Sequence, residues 1–241
     1  MAPAPSNTTR DHILDAAEAL LARHGYAAAS LRQVTTAAGV NLAAVHYHFG
    51  SKEGLLRALF ERRLGPINEI RLQRLAAAEE KAAPGPPAVA DIVSAMVAPM
   101  IESGLGEKAP LHHFTQLVGR MHAEPSNEMA RMFKEMLGEL LQRFMAALGR
   151  ALPELPVEEL YWRMHFAAGA FSHLMSCHEK VVEMSNGLCN TDDPAAIVER
   201  ITGFITAGME APLNTTPGTL PAAPRASGRQ RESRRRKSGS T

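Results

Sequence analysis

Cysteine is nearly absent from this chain: among 241 residues only Cys177 and Cys189 occur. Two cysteines build no disulfide framework, so a reducing compartment and a cytoplasmic protein are expected. Aromatic residues make up only 5%, while alanine is frequent, a balance that favours helices over sheets. Long apolar runs are missing as well. The two longest charge-free stretches are 33–51 and 164–178. The first is interrupted by Gly39, Asn41 and two histidines, the second by three histidines and two serines, so neither reads as a membrane span. The opening Met1–Ser6 lacks a basic region followed by an apolar run and is not expected to be a signal peptide. Enzyme signatures are missing: there is no Gly-x-Ser-x-Gly elbow, no Gly-x-x-x-x-Gly-Lys loop and no Gly-x-Gly-x-x-Gly turn. The expectation is a protein that is not an enzyme and needs no cofactor.

What is present supports a folded core, with 45% hydrophobic and 21% charged residues. The net charge of +1 conceals a strong asymmetry. Residues 1–63 carry seven basic and five acidic groups, residues 64–211 carry twelve and nineteen, and residues 212–241 carry seven and one. A basic tail, an acidic middle and a mildly basic head suggest a polyanionic partner for the two ends.

Punctuation divides the chain into an arm (1–7), a head (8–63), a body (64–211) and a tail (212–241). Thr8 or Thr9 can cap a helix with apolar residues Ile13, Leu14, Ala17, Leu20 and Leu21, which Gly25 should end. Ser30 and Gln33 form a capping box, and the helix they open stops at Gly39. Asn41 caps a third helix that Gly50 ends. Ser51 caps a fourth, which Gly65-Pro66 should kink or break. Pro84–Pro87 reads as a linker. Helices are then expected over 88–103 (broken by Pro99), 110–123, 126–151, 157–184 and 194–210. The fold class is all-α, and the tail, rich in Pro, Ser, Gly and Arg, is expected to be disordered.

Short helices joined by a tight glycine turn have the spacing of a helix-turn-helix. Val45 and Phe49, with Leu31 and Val34, would hold the two helices together. Leu42, Ala43, Ala44, His46, Tyr47 and His48 would remain for the outer face, where small residues let a helix approach base edges and Tyr and His can bond phosphates or bases. Of the three polar residues, His48 is the one expected to pack inwards and bond a backbone carbonyl. Lys52, at the start of the next helix, would favour a phosphate.

The stretch SLRQVTTAAGVNLAAVHYHFGSKEGLL resembles the TetR family of transcriptional regulators, over roughly residues 9–60. The resemblance implies a head that binds a double-stranded DNA operator, and a body that dimerises and holds a small effector. By position it assigns phosphate contacts to Ser30, Arg32 and Lys52, and the recognition helix to Leu42, Ala43, Ala44, His46, Tyr47 and His48. His46 stands where Tyr is commoner, which bears on base preference. Gly54 stands where Glu is usual, which only weakens a helix start. Leu64-Gly-Pro66 and ELYWRMHFAAGAF at 159–171 are similar to a fatty-acid-responsive subgroup, in which an acyl chain or its coenzyme A thioester releases the DNA.

In the body, methionine suits a deformable apolar cavity. Met96, Met100, Met121, Met132, Met136 and Phe166 are the candidate ligand-binding residues, although such side chains are more often plain core. Arg120, Arg131 or Arg163 would suit the mouth of a site for a thioester. Apolar residues at alternating spacings of four and three mark the last two helices as a homodimer interface, with Leu160, Phe171, Leu174, His178, Ile201 and Phe204 as its candidates. His173, Cys177 and His178 can share one helical side, yet no matching cluster completes a metal site, so no metal is expected. Two other readings remain: a metal- or thiol-responsive regulator, and a helical adaptor that dimerises without binding DNA.

Overall fold

The computed structural model describes residues 8–105, 109–123 and 127–213, and within them every side chain except those at 116, 119–123 and 127–130. The arm and nearly all of the basic tail therefore lie outside the described residues. All regular structure among the described residues is helical: α1 (Thr9–Ala28), α2 (Leu31–Ala38), α3 (Leu42–Phe49), α4 (Lys52–Ala82), α5 (Val89–Gly104), α6 (His112–Ala123), α7 (Asn127–Ala151), α8 (Val157–Met184) and α9 (Pro194–Glu210).

The starts of these helices follow from side-chain oxygens that satisfy orphan backbone N–H groups. Thr8 and Asp11 cap α1 reciprocally, as Ser30 and Gln33 cap α2. Asn41 Oδ1 accepts from Ala44 N at 2.9 Å, and Ser51 Oγ accepts from Gly54 N at 3.0 Å. Asp193 caps α9, with Pro194 in its first turn. Gly25 breaks the helical path at φ 77°, and one further turn carries α1 to Ala28.

Prolines act differently from the sequence expectation. α4 runs unbroken through Pro66 and α5 through Pro99. Each proline removes one ladder hydrogen bond, at a cost of about 3 kcal/mol. Leu64, Ile67 and Leu75 of α4, and Val97, Ala98, Met100 and Ile101 of α5, are buried around them. Burying several such side chains, at about 1.5–3 kcal/mol each for the larger ones, outweighs the break. One consequence is that the expected head–body boundary at 63/64 falls inside a continuous helix.

A single core runs through head and body. Phe60 of α4 sits at its centre, edge-on to Phe114 of α6 at 5.0 Å and to Phe133 of α7 at 5.3 Å. α5 packs on α4, α7 and α9, α6 on α1 and α8, and α8 on α9. Where head meets α4, Glu18 is buried and accepts from Arg63 Nε at 2.8 Å and Arg62 Nη2 at 3.2 Å, while Arg62 also meets Asp15 at 2.9 Å. Arg163 is buried on α8. It donates to the carbonyls of Met209 at 2.7 Å and Ala211 at 2.6 Å, closing the C-terminal end of α9 with a cation.

Candidate functional site

The glycine turn is built as its sequence requires. Gly39 adopts a left-handed conformation, φ 67° and ψ 30°, and its N–H returns to the carbonyls of Thr35 and Thr36. A residue with a Cβ is strained there. Val34 and Val45 are buried on facing sides of the turn, so α3 is fixed against α2 and its opposite face stays open. On that face Tyr47 is 85% exposed, Leu42 is exposed, and Ala43, His46 and His48 are exposed beside them. Ala44 is half-buried. Arg32 is exposed on α2. The recognition-helix candidates thus wrap the part of α3 left open around buried Val45, presenting small, aromatic and hydrogen-bonding groups.

Three details differ from the sequence reading. The backbone-bonded histidine is His46, not His48: His46 Nδ1 donates to the Gly50 carbonyl at 2.9 Å, which fixes its ring across the C-terminal end of α3. His48 is exposed instead and stands edge-on to Tyr47, at 5.0 Å between rings. Ser30 is committed to its cap, with its hydroxyl donating to Gln33 Oε1 at 2.9 Å, so a phosphate contact from that hydroxyl competes with the capping box. Lys52 does not extend a free ammonium outwards. Its Nζ donates to the Tyr26 carbonyl and lies 4.3 Å from the centre of the Tyr26 ring. The partial burial lowers its pKa. The reason is tertiary: the carbonyl end of α1 attracts a cation, and the ring adds a cation–π contact. Arg10, which the sequence reading passed over, lies with its guanidinium 5.5 Å from the Phe49 ring and adds positive charge at the end of α3. Its only sequence signal was a cation in the first turn of α1.

Gly54 also proves to matter. A Cβ there would lie 2.1 Å from the Phe49 carbonyl oxygen, a backbone atom that cannot swing away. The corner between α3 and α4, as set in this chain, therefore leaves no room for a Cβ, so the Glu usual at this position needs a corner set differently. Gly54→Ala, which helix propensity alone would make stabilising by roughly 0.5–1 kcal/mol, is expected to destabilise the protein by about 1–3 kcal/mol. A lower urea midpoint checks this; an unchanged or higher midpoint shows that the corner relaxes freely.

In the body, Met100 and Met132 are buried and Met96 and Met136 half-buried, on the adjoining helices α5 and α7. The side chain of Met121, like that of Arg120, lies outside the described residues. Arg131 is exposed, and Arg163 is engaged at the end of α9. Phe166 lines no interior space: it is 65% exposed and stacks on Trp162, with 5.9 Å between rings. Phe166 and Trp162 stand four apart on a side of α8 that faces away from the core, so Phe166 is corrected as a cavity residue. Leu160 is corrected in the opposite sense, because at 4% exposure it belongs to the core of one chain and has no surface to offer a partner. Phe204 is 69% exposed, and Phe171, Leu174, His178 and Ile201 are half-buried. With Val157, Tyr161, Trp162 and Phe166 they leave α8 and α9 with a broad apolar outer face. Cys177 sits at an interruption of α8, φ −139° and ψ 22°, half-buried near half-buried His178, while His173 is exposed. Among the described residues no group of three or more His, Cys, Asp or Glu could hold a metal ion. No described helix is long and apolar enough to cross a membrane.

Residues 13–59 match the family described as bacterial regulatory proteins, tetR family, and residues 94–208 match that of the tetracyclin repressor-like C-terminal domain. The HTH-type transcriptional regulator AcrR of Shigella flexneri is 37% identical over 65 residues, which span 27% of this chain and only 30% of that relative. Among solved structures, the fatty acid degradation regulator FadR from Bacillus halodurans superposes with a TM-score of 0.59 at 20% identity, covering 87% of this chain and 99% of that one. FadR from Bacillus subtilis, solved in complex with stearoyl-CoA, gives 0.57 at 17% identity, covering 82% and 97%. AmtR of Mycobacterium smegmatis gives 0.53 at 19%, covering 86% and 90%. At these identities the likeness is one of fold.

Proposed function

Because this chain belongs to the TetR family of bacterial regulatory proteins, we propose that it is a ligand-responsive repressor of the cytoplasm, a regulator and not an enzyme. It reads a palindromic operator as a homodimer and is released by a small apolar effector. Residues 8–63 serve as the DNA-binding head and 64–211 as the effector-binding and dimerising body. The observation that carries this reading is the open face of α3. A two-fold dimer would place two copies of it in successive major grooves. Arg32 and Arg10 supply phosphate contacts at its flanks, and Tyr47 and His48 reach towards base edges.

Tyr47→Ala is the test. With 85% of the residue exposed, its loss should leave stability unchanged, so any effect is on binding. Operator affinity should fall by roughly 1–3 kcal/mol, about a 5- to 150-fold increase in Kd. An electrophoretic or anisotropy titration reads this directly. Full operator affinity in the variant would remove α3 from the recognition surface.

The effector reading is supported by the methionines packed between α5 and α7 in the body and by the fold shared with a FadR that was solved holding stearoyl-CoA. A fatty acid or acyl-CoA is therefore the proposed effector class. To release DNA, it must bind the operator-incompetent state better than the competent one. α4 is suited to carry that preference, because it is one helix from Lys52 beside the turn to Ala82 in the body, and Glu18 ties it to α1 through Arg62 and Arg63.

A further inference from the structure

α4 carries a buried charge that has no counter-charge among the described residues. Arg71 lies on the buried side of the helix, one turn from Ile67 and one from Leu75, and is 7% exposed. Its Nε donates to the Met96 carbonyl of α5 at 2.7 Å, and Nη1 donates to Asn68 Oδ1 at 3.0 Å. Both acceptors are neutral. No Asp or Glu among the described residues pairs with it, whereas buried Arg163 holds Glu159 and buried Glu18 holds two arginines. Burial lowers its pKa to about 10, which still leaves the guanidinium charged at neutral pH. A guanidinium has five N–H donors. Those not spent on Met96 and Asn68 have no acceptor among the described residues.

A local duty accounts for part of this arrangement. Pro99 lacks the N–H that would reach the Ala95 carbonyl, and Arg71 Nε donates to the next carbonyl of that turn, Met96. A neutral donor would satisfy that carbonyl equally well. The buried positive charge is what remains to be explained, since an unpaired ion in the interior is costly. Met96 and Met100, one turn apart on α5, provide adaptable apolar surface at the same seam.

We propose that Arg71 receives the carboxylate of an apolar acid bound between α4 and α5, so that the effector is a free acid anchored by its charged end. This rests on the reading of the body as an apolar-effector site, and it narrows that reading. The planar fork of a guanidinium matches a carboxylate in two parallel hydrogen bonds, and the dry surroundings strengthen them. An acyl thioester offers a neutral carbonyl at the same position, and carries its charges on a bulky headgroup that so enclosed an arginine does not accommodate.

The test is titration calorimetry of the full chain with three probes: hexadecanoic acid, hexadecanol and hexadecanoyl-CoA. The acid should bind the wild-type protein most tightly. Arg71→Met should weaken the acid roughly 10- to 100-fold and leave the alcohol unaffected. Arg71→Gln keeps a donor for the Met96 carbonyl without the charge, and serves if the methionine variant does not fold. Equal losses for acid and alcohol would assign Arg71 to the scaffold and overturn the anchor. A wild-type preference for the thioester, untouched by either substitution, would overturn it too while sparing the acyl reading. If none of the three probes binds the wild-type chain, the acyl reading itself fails and the anchor falls with it.

Discussion

Phe204→Arg should convert the protein from dimer to monomer without unfolding it. Phe204 is 69% exposed in the single chain, so the substitution disturbs little of the intrachain core. On α8, which packs on the helix of Phe204, Tyr161 at 62%, Trp162 at 52% and Phe166 at 65% leave an aromatic surface that a solitary soluble chain rarely shows. A second copy across a two-fold axis covers such a face with itself. The arginine would then be buried twice, once per subunit, each time without a partner. At several kcal/mol per desolvated ion, the dimer constant should worsen by about a thousandfold or more. Sedimentation velocity at micromolar concentration reads the outcome, with circular dichroism confirming retained helix. Operator affinity should collapse in parallel, because two linked half-site contacts become two separate ones. Leu141→Arg is the control: Leu141 is also exposed, but on α7, and should leave assembly intact. If Phe204→Arg sediments as a normal dimer, the interface lies elsewhere.

The opposite dissection comes from Val45→Asp, which should abolish operator binding and preserve the dimer. Val45 is fully buried on the inner side of α3, in the core that contains Ile13, Leu14 and Val34. Losing its apolar surface costs about 2 kcal/mol. Keeping an aspartate there at neutral pH costs more, because the group must either ionise in a dry site or take up a proton well above its usual pKa. A shift of about three units adds roughly 4 kcal/mol. That sum is comparable with the whole stability of a small helical unit, so α3 should lose its fixed place on α2. Binding to every duplex sequence should then be lost, not just operator preference. Val45→Ala, which removes surface without adding charge, should keep measurable binding at a lowered melting temperature. Operator affinity that survives Val45→Asp would mean that α3 is not held by this core.

Much of this arrangement was legible in the chain because it is local. A cap, a glycine turn or a proline acts within three or four residues, and the expected spans 126–151, 157–184 and 194–210 coincide to within a residue with α7, α8 and α9. The helix-turn-helix is of the same kind, since Ser30, Gly39 and Asn41 build it from hydrogen bonds to their own neighbours. Helical spacing likewise revealed which residues share a side. It did not reveal what each side meets: Leu160 turned inwards and Phe166 outwards on one helix. The remaining differences have the same origin. Lys52 bonds a carbonyl twenty-six positions away, and a carbonyl has no signature in the sequence. Pro66 and Pro99 sit inside helices because distant residues bury the flanking turns. Arg71 could have been suspected, as a cation at the spacing of Ile67 and Leu75, but that no carboxylate among the described residues pairs with it depends on what packs against it. Sequence determined the helices, their ends and the turn that presents α3, through short-range hydrogen bonding and backbone sterics. Only the tertiary structure decided which charges are paired, which prolines are tolerated and which apolar faces stay open, because burial and electrostatics depend on neighbours that the linear order does not bring together.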